Sequence, residues 1–284
     1  MRLLTLQTVL VATDLQDGSL AALTTARELA DAAGAALHVV HVSDKENALQ
    51  ALTSTLRDAG LPPERTHVHV VKGETPPAIK SLADKIDADA ILVGPHRRRH
   101  DTNGKRVLGN TALALVKEAS VPCMVVGAAL RLPLHRVLVG ADMQESTRGT
   151  LTVALSWTSA LRAHDPGTSE CPLLTALHVQ RSADQRTGPS LPKSALDEML
   201  EHLRKDAGTW ACTEIESAVA DNADAGAGIT DYARAYHADM VVLGTSGLRL
   251  DNRGRLGSAA AAVTQHLDTP VLLVPPAVWM TYTN

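Results

Sequence analysis

Gly244, Gly247, Gly257 and Ser258 stand at spacings suited to holding a phosphate group. Glycine has no Cβ, so backbone can approach a ligand closely at Gly244 and Gly247 and turn sharply there. Gly257 and Ser258 precede an apolar periodic segment and are expected to open a helix reaching about Leu267. The free N–H groups and positive dipole end of such a helix favour an anion. The Ser258 hydroxyl adds a donor, and Leu243 and Ala259 flank the two ends of the stretch. Arg249, Arg253 and Arg255 lie between them and can supply charge. The bland alternative is a turn at Gly244 and Gly247 followed by a helix cap at Ser258.

A degenerate counterpart lies in the first half. Gly94 matches Gly244, but Arg97 replaces the second glycine, the stretch to Gly109 is longer, and Asn110 followed by Thr111 replaces the serine. Arg97, Arg98, Arg99, Lys105 and Arg106 make this segment basic. Arg97 can fill the phosphate space or bind a phosphate in another pose; a solvated loop is the plain alternative. Asp14 and Asp142 each follow a short apolar run and suit ribose binding, capping, or a Mg²⁺ beside a nucleotide. His67 and His69 alternate, so on a strand they share a face as two metal ligands can. His96 and His100 flank the arginines, and no carboxylate or cysteine spacing completes either set. His41 and His178 read as packed residues or neighbours of a base pocket. Trp157, Trp210 and Trp279 read as core or interface anchors. No GxxxxGK[ST] loop is present, and no pair supplies a general base with a nucleophile, so catalysis is not expected.

The elements that must position these residues repeat. Apolar runs at 9–12 and 137–141 each end in Asp, and each precedes a helical segment. Gly34 is a plausible stop for the first helix. Second strands end in His41-Val42 and His178-Val179. Amphipathic segments follow, with Leu49, Leu52 and Leu56 in one half and Leu196, Met199, Leu200 and Leu203 in the other. Third strands fit 67–71 and 214–219. The helices after them are expected to start at Thr75-Pro76-Pro77, where Pro fits the first turn, and at Asn222 as a cap. Ala90-Ile91-Leu92-Val93-Gly94 and Met240-Val241-Val242-Leu243-Gly244 are the clearest match, and each half closes on Pro followed by an apolar strand. Each half thus reads βαβαβαβαβ, a parallel α/β sheet with helices on both faces. Ligands in such sheets bind at the carboxyl ends of the strands. The boundary falls near 131–134, giving domains 1–132 and 133–284.

With Gly244-x2-Gly247-x9-Gly257-Ser258 behind Asp142 and His178-Val179, the chain resembles the universal stress protein family in its tandem two-domain form. The resemblance covers essentially the whole chain. It implies two α/β domains, each a five-stranded parallel sheet of order 3-2-1-4-5. It implies an ATP site, with or without Mg²⁺, at Asp142, Val179, Leu243, Gly244, Gly247, Gly257, Ser258 and Ala259. A second, weaker site is implied at Asp14, Val42, Gly94, Arg97, Gly109 and Asn110. The Asp would approach ribose and phosphate, and the Val would meet adenine through its backbone. The function implied is a nucleotide-dependent stress-response regulator. The alternatives are a scaffold without nucleotide and a slow ATPase. The final strands would be sheet edges, which the resemblance implies pair with another family domain, either the other half of this chain or a homodimer partner.

Composition agrees with an ordinary globular protein. The chain has 284 residues, enough for two domains. It has no Phe and only 2% aromatics, so its cores must be Val, Leu, Ile and Ala, and stacking platforms for nucleic acid are few. A net charge of −4 points to no polyanionic partner. No apolar run reaches a membrane-spanning length. Cys123, Cys171 and Cys212 form no CxxC pair, so reduced thiols and a cytoplasmic location are expected.

Overall fold

The computed structural model describes residues 6–61, 63–95, 110–162, 171–180, 190–206, 213–245 and 257–280. Its first half runs β1 (Thr8–Ala12), α1 (Leu20–Ala33), β2 (Ala36–Val42), α2 (Ala48–Asp58), β3 (His67–Val71), α3 (Thr75–Lys85), β4 (Ala90–Val93), α4 (Asn110–Glu118) and β5 (Cys123–Val125). The second half repeats it: β6 (Arg136–Gly140), α5 (Glu145–Arg162), β7 (Leu173–Gln180), α6 (Ser190–Asp206), β8 (Glu214–Asp221), α7 (Ala225–Tyr236), β9 (Met240–Gly244), α8 (Ser258–His266) and β10 (Val271–Val274), followed by α9 (Pro276–Trp279).

Each half has the strand order 3-2-1-4-5, but the ten strands form one sheet: β3-β2-β1-β4-β5-β10-β9-β6-β7-β8. The seam is antiparallel, with Val125 opposite Val271 and Cys123 opposite Leu273. The two final strands therefore satisfy each other's edges within the chain. Two apolar layers cross this seam. On one face α1, α2, α5, α6 and α9 cover residues such as Val9, Leu92, Val137 and Val242. On the other, α3, α4, α7 and α8 cover Leu10, Ile91, Leu138 and Val241. Fully buried Leu and Ile side chains contribute about 2 kcal/mol each, and Trp157 is buried among them. Trp210 lies outside the described residues.

Helix ends follow local chemistry. Gly34 at φ 64° stops α1 in the left-handed conformation. Thr75-Pro76-Pro77 form the first turn of α3. The start of α7 differs from expectation. Asp224, not Asn222, is its cap, accepting a hydrogen bond from the Ala227 N–H at 2.8 Å. The Asn222 side chain instead accepts from the Asp224 N–H at 3.0 Å, forming the turn before the cap.

One aspartate per half ties the amino ends of two strands together. Asp89 accepts from the N–H groups of Gln7 and Thr8 at 2.7 and 2.8 Å. Asp239 accepts from His135 and Arg136 at the same distances. Each carboxylate thus ties the start of the half's first strand to that of its fourth. Asp239→Ala removes two charge-assisted bonds and is expected to cost about 2 kcal/mol in urea unfolding. Asp239→Asn, which keeps one acceptor oxygen, should recover part of that loss.

Candidate functional site

The carboxyl ends of β6, β7 and β9 meet where the strand order reverses. β6 ends at Gly140, and Ala141 and Asp142 follow. Met143 then takes φ 60°, a left-handed turn that its counterpart Leu15 repeats at 61°. Such a conformation costs on the order of 1 kcal/mol in a non-glycine residue and is typical of sites under functional constraint. In both halves the Asp side chain closes the turn: Asp14 accepts from the Gln16 N–H and Asp142 from the Gln144 N–H, each at 3.0 Å. A histidine on the neighbouring strand holds each loop from behind. His41 Nδ1 donates to the Thr13 carbonyl at 2.9 Å and His178 Nδ1 to the Ala141 carbonyl at 2.8 Å. Because a carbonyl only accepts, both rings carry their proton on Nδ1 at this contact.

The two Asp differ beyond that. Asp142 also accepts from Thr147 Oγ1 at 2.8 Å and Ser146 Oγ at 3.1 Å, so it is tied to the first turn of α5 while remaining exposed. Ser146 and Thr147 are site residues whose roles the sequence left unread, while His178 was read as packed or beside a base pocket and proves to hold the loop. The signal for the first two was the pair of hydroxyls four and five residues after Asp142.

Val179 lies beyond the last β6–β7 rung, Gly140 with Leu177. Its backbone on the β6 side is therefore out of the ladder, as a base-binding position requires. Val42 is placed alike, past the last β1–β2 rung, Ala12 with Val40. The side chain of Val179 is fixed by α7: a Cβ on Gly228 would come within 2.7 Å of Val179 Cγ1.

Leu243 is buried and pairs with Gly140. Gly244 follows it, and the reason it must be glycine differs from expectation. A Cβ there would lie 2.8 Å from Thr150 Oγ1, which donates to the Ser146 carbonyl at 2.7 Å. The space is taken by α5, so Gly244 seats a helix. Gly94 is more crowded: its Cβ would meet the Gly18 carbonyl oxygen at 2.6 Å and Ser19 Cα at 3.1 Å. In the first half the backbone between β1 and α1 itself lies over the end of β4.

Gly257 is the N-cap of α8, with φ −50° and ψ 141° and no side-chain cap bond. Gly257 and Ala259 are partly buried and Ser258 is exposed. Among the described residues no side chain caps the first N–H groups of the helix. Helix α8 ends at His266, one residue short of the expected stop. Gly247, Arg97 and Gly109 lie outside the described residues, as do Arg249, Arg253, Arg255, His96 and His100. Asn110 is the first residue of α4.

Among the described residues no helix is long and apolar enough to cross a membrane. Cys123 is a buried free thiol whose pKa burial pushes up to about 12, which makes it inert. Cys171 is disulfide-bonded, so the expectation of three reduced thiols is corrected, and the cysteines give no argument for a reducing compartment.

Away from this site, burial and the neighbouring His67 and His69 lower His38 to about 4. At pH below 6.5 the unfolded chain takes up this proton first, so stability falls between about pH 6.5 and 4 and levels off below. The full difference corresponds to roughly 3 kcal/mol, and solvent screening at this partly exposed position reduces it to about 1 kcal/mol. Urea midpoints at pH 7 and 4.5 should differ accordingly, and by less in His38→Gln.

Comparison with known proteins agrees with this architecture. The model of the universal stress protein family matches residues 5–59, 46–127 and 133–275. A Pseudomonas aeruginosa UCBPP-PA14 protein described as a universal stress protein has the same fold, with 17% identity over 99% of this chain and 97% of its own, at a TM-score of 0.67. A universal stress protein from Archaeoglobus fulgidus DSM 4304 is similar at 16% identity, covering 94% of this chain and 98% of its own, at a TM-score of 0.65. A universal stress protein solved in complex with cAMP matches 50% of this chain and 97% of its own, with 23% identity and a TM-score of 0.36. With the repeated fold, the two Asp turns and a family match along most of its length, this chain belongs to the universal stress protein family.

Proposed function

We propose that the protein is a nucleotide-dependent regulator that holds one ATP at the carboxyl edge of its C-terminal half. The observation that carries this reading is the glycine cap of α8, Gly257, which offers no side chain of its own to the first N–H groups. Those groups and the Ser258 hydroxyl suit the phosphates. The Asp142 turn suits the ribose, and the unpaired backbone beside Val179 suits the adenine edge. Because Asp142 already accepts from one backbone N–H and two hydroxyls, Mg²⁺ would be held chiefly by the phosphates. In this reading the site works as a sensor rather than a catalyst. The partner is an adenine nucleotide, with no role for nucleic acid or a membrane, and the cell compartment is the cytoplasm.

The N-terminal half is a pseudo-site in this reading. The Gly18 carbonyl backbone packs closely over Gly94, whereas a side chain, Thr150, is the nearest neighbour at Gly244. Chromatography of the supernatant from heat-denatured purified protein is expected to show about one adenine nucleotide per chain. An empty supernatant, with no rise in melting temperature on adding millimolar ATP, would refute the proposal and favour a scaffold.

A further inference from the structure

At the outer edge of the sheet, β2 and β3 bring three histidines onto one face. His38 is the register partner of His67, and His69 lies two residues further along the same face of β3. The His38 ring stacks on His67 at 4.4 Å and on His69 at 5.2 Å, the latter pair only 9° from parallel. His38 Nδ1 and His69 Nε2 face each other at 3.0 Å. We propose that these two nitrogens clip a single divalent transition-metal ion of the zinc, nickel or copper(II) class, with His67 turning in as a third ligand.

The chemistry favours this class. The donor set is all imidazole, which suits zinc, copper and nickel and not the oxygen-seeking magnesium or calcium. With metal–nitrogen bonds of about 2.0–2.1 Å, two nitrogens about 3.0 Å apart subtend roughly 90° at the ion, a cis angle of square or octahedral sites. Opening the pair by about 0.3 Å reaches a tetrahedral angle. At present one hydrogen lies between the facing nitrogens. Binding asks the ring that carries it to shift that proton to its other nitrogen, so two neutral imidazoles take the ion with no net proton release. Among the described residues no three His, Cys, Asp or Glu side chains already converge as a metal cage. The site is accordingly a two-imidazole clip on a strand edge, completed by rotation of the exposed His67. Burial and repulsion from His67 and Lys85 hold the His69 pKa below its ordinary value, so both facing rings are neutral near pH 7. Lys85, in the last turn of α3, repels a cation there, while the carbonyl end of the same helix attracts one.

Isothermal titration of tag-free protein at pH 7.5 with zinc chloride and with nickel chloride tests the proposal. One equivalent is expected to bind. His38→Gln and His69→Gln should each weaken binding at least tenfold, His67→Gln by a smaller factor, and Lys85→Gln should tighten it a few-fold. Electron paramagnetic resonance of the copper(II) form of unmodified protein should show coupling to two or more nitrogens. Absence of saturable binding, coupling to a single nitrogen, or unchanged affinity in a folded His38→Gln/His69→Gln double variant would overturn it. The result is independent of nucleotide content, which concerns the opposite half of the chain.

Discussion

Gly257→Arg is expected to give folded protein that carries no adenine nucleotide. The backbone at this position sits at φ −50° and ψ 141°, which any residue adopts, so arginine meets no conformational obstacle. The position is only partly buried and makes no side-chain cap, so replacing the glycine cap costs about 1 kcal/mol. What changes is the space in front of α8. A long side chain now lies across the first N–H groups, where the phosphates are proposed to sit, and its charge at the positive end of the helix is itself unfavourable. ATP affinity should fall by at least a hundredfold, on the order of 3 kcal/mol. Two measurements decide it: nucleotide released on denaturation and titration of the emptied protein with ATP. Normal affinity in a normally melting variant would place the phosphates elsewhere and remove the main support for the proposed site.

Gly94→Ala and Gly244→Ala should separate the two halves in the other direction, by stability. The new Cβ at 94 would meet backbone atoms, the Gly18 carbonyl oxygen at 2.6 Å and Ser19 Cα at 3.1 Å. Neither can move without shifting the entry to α1. A cost of about 3 kcal/mol is expected. At 244 the nearest obstacle is the Thr150 hydroxyl at 2.8 Å, which can rotate at the expense of its bond to the Ser146 carbonyl. That substitution should cost about 1–2 kcal/mol. Adding Thr150→Ala to Gly244→Ala removes the obstacle, so the double variant should be less destabilised than the two single costs added together. Gly94→Ala, where it folds, should keep its nucleotide, because the proposed site lies in the other half. A milder loss at 94 than at 244 would mean that the first half is open at its carboxyl edge after all.

Much of this was legible along the chain. The alternation of apolar strands and amphipathic helices, the repeat of the pattern, and the Asp that ends the first strand of each half follow from side chains a few residues apart. A buried parallel strand needs an uninterrupted apolar run, such as Met240-Val241-Val242-Leu243, and a helix packed on one face needs apolar positions three and four apart. Gly34 stops α1 because glycine takes the left-handed conformation without strain, again a local matter.

What the tertiary structure alone decided depends on segments far apart in sequence. Antiparallel pairing of β5 with β10 joins two five-stranded sheets into one, since an exposed strand edge gains hydrogen bonds from whichever partner the fold brings to it. Gly244 is held to glycine by Thr150, and Gly94 by Gly18, contacts that no spacing rule contains. Asn222 yielded the cap of α7 to Asp224 because the chain turns two residues later than the pattern suggested. The histidines on β3 share a face by simple alternation, yet only the register of β2 against β3 sets His38 beside them. Periodicity records which face of an element is buried; which residues then touch is settled by packing, where a single Cβ or hydroxyl decides.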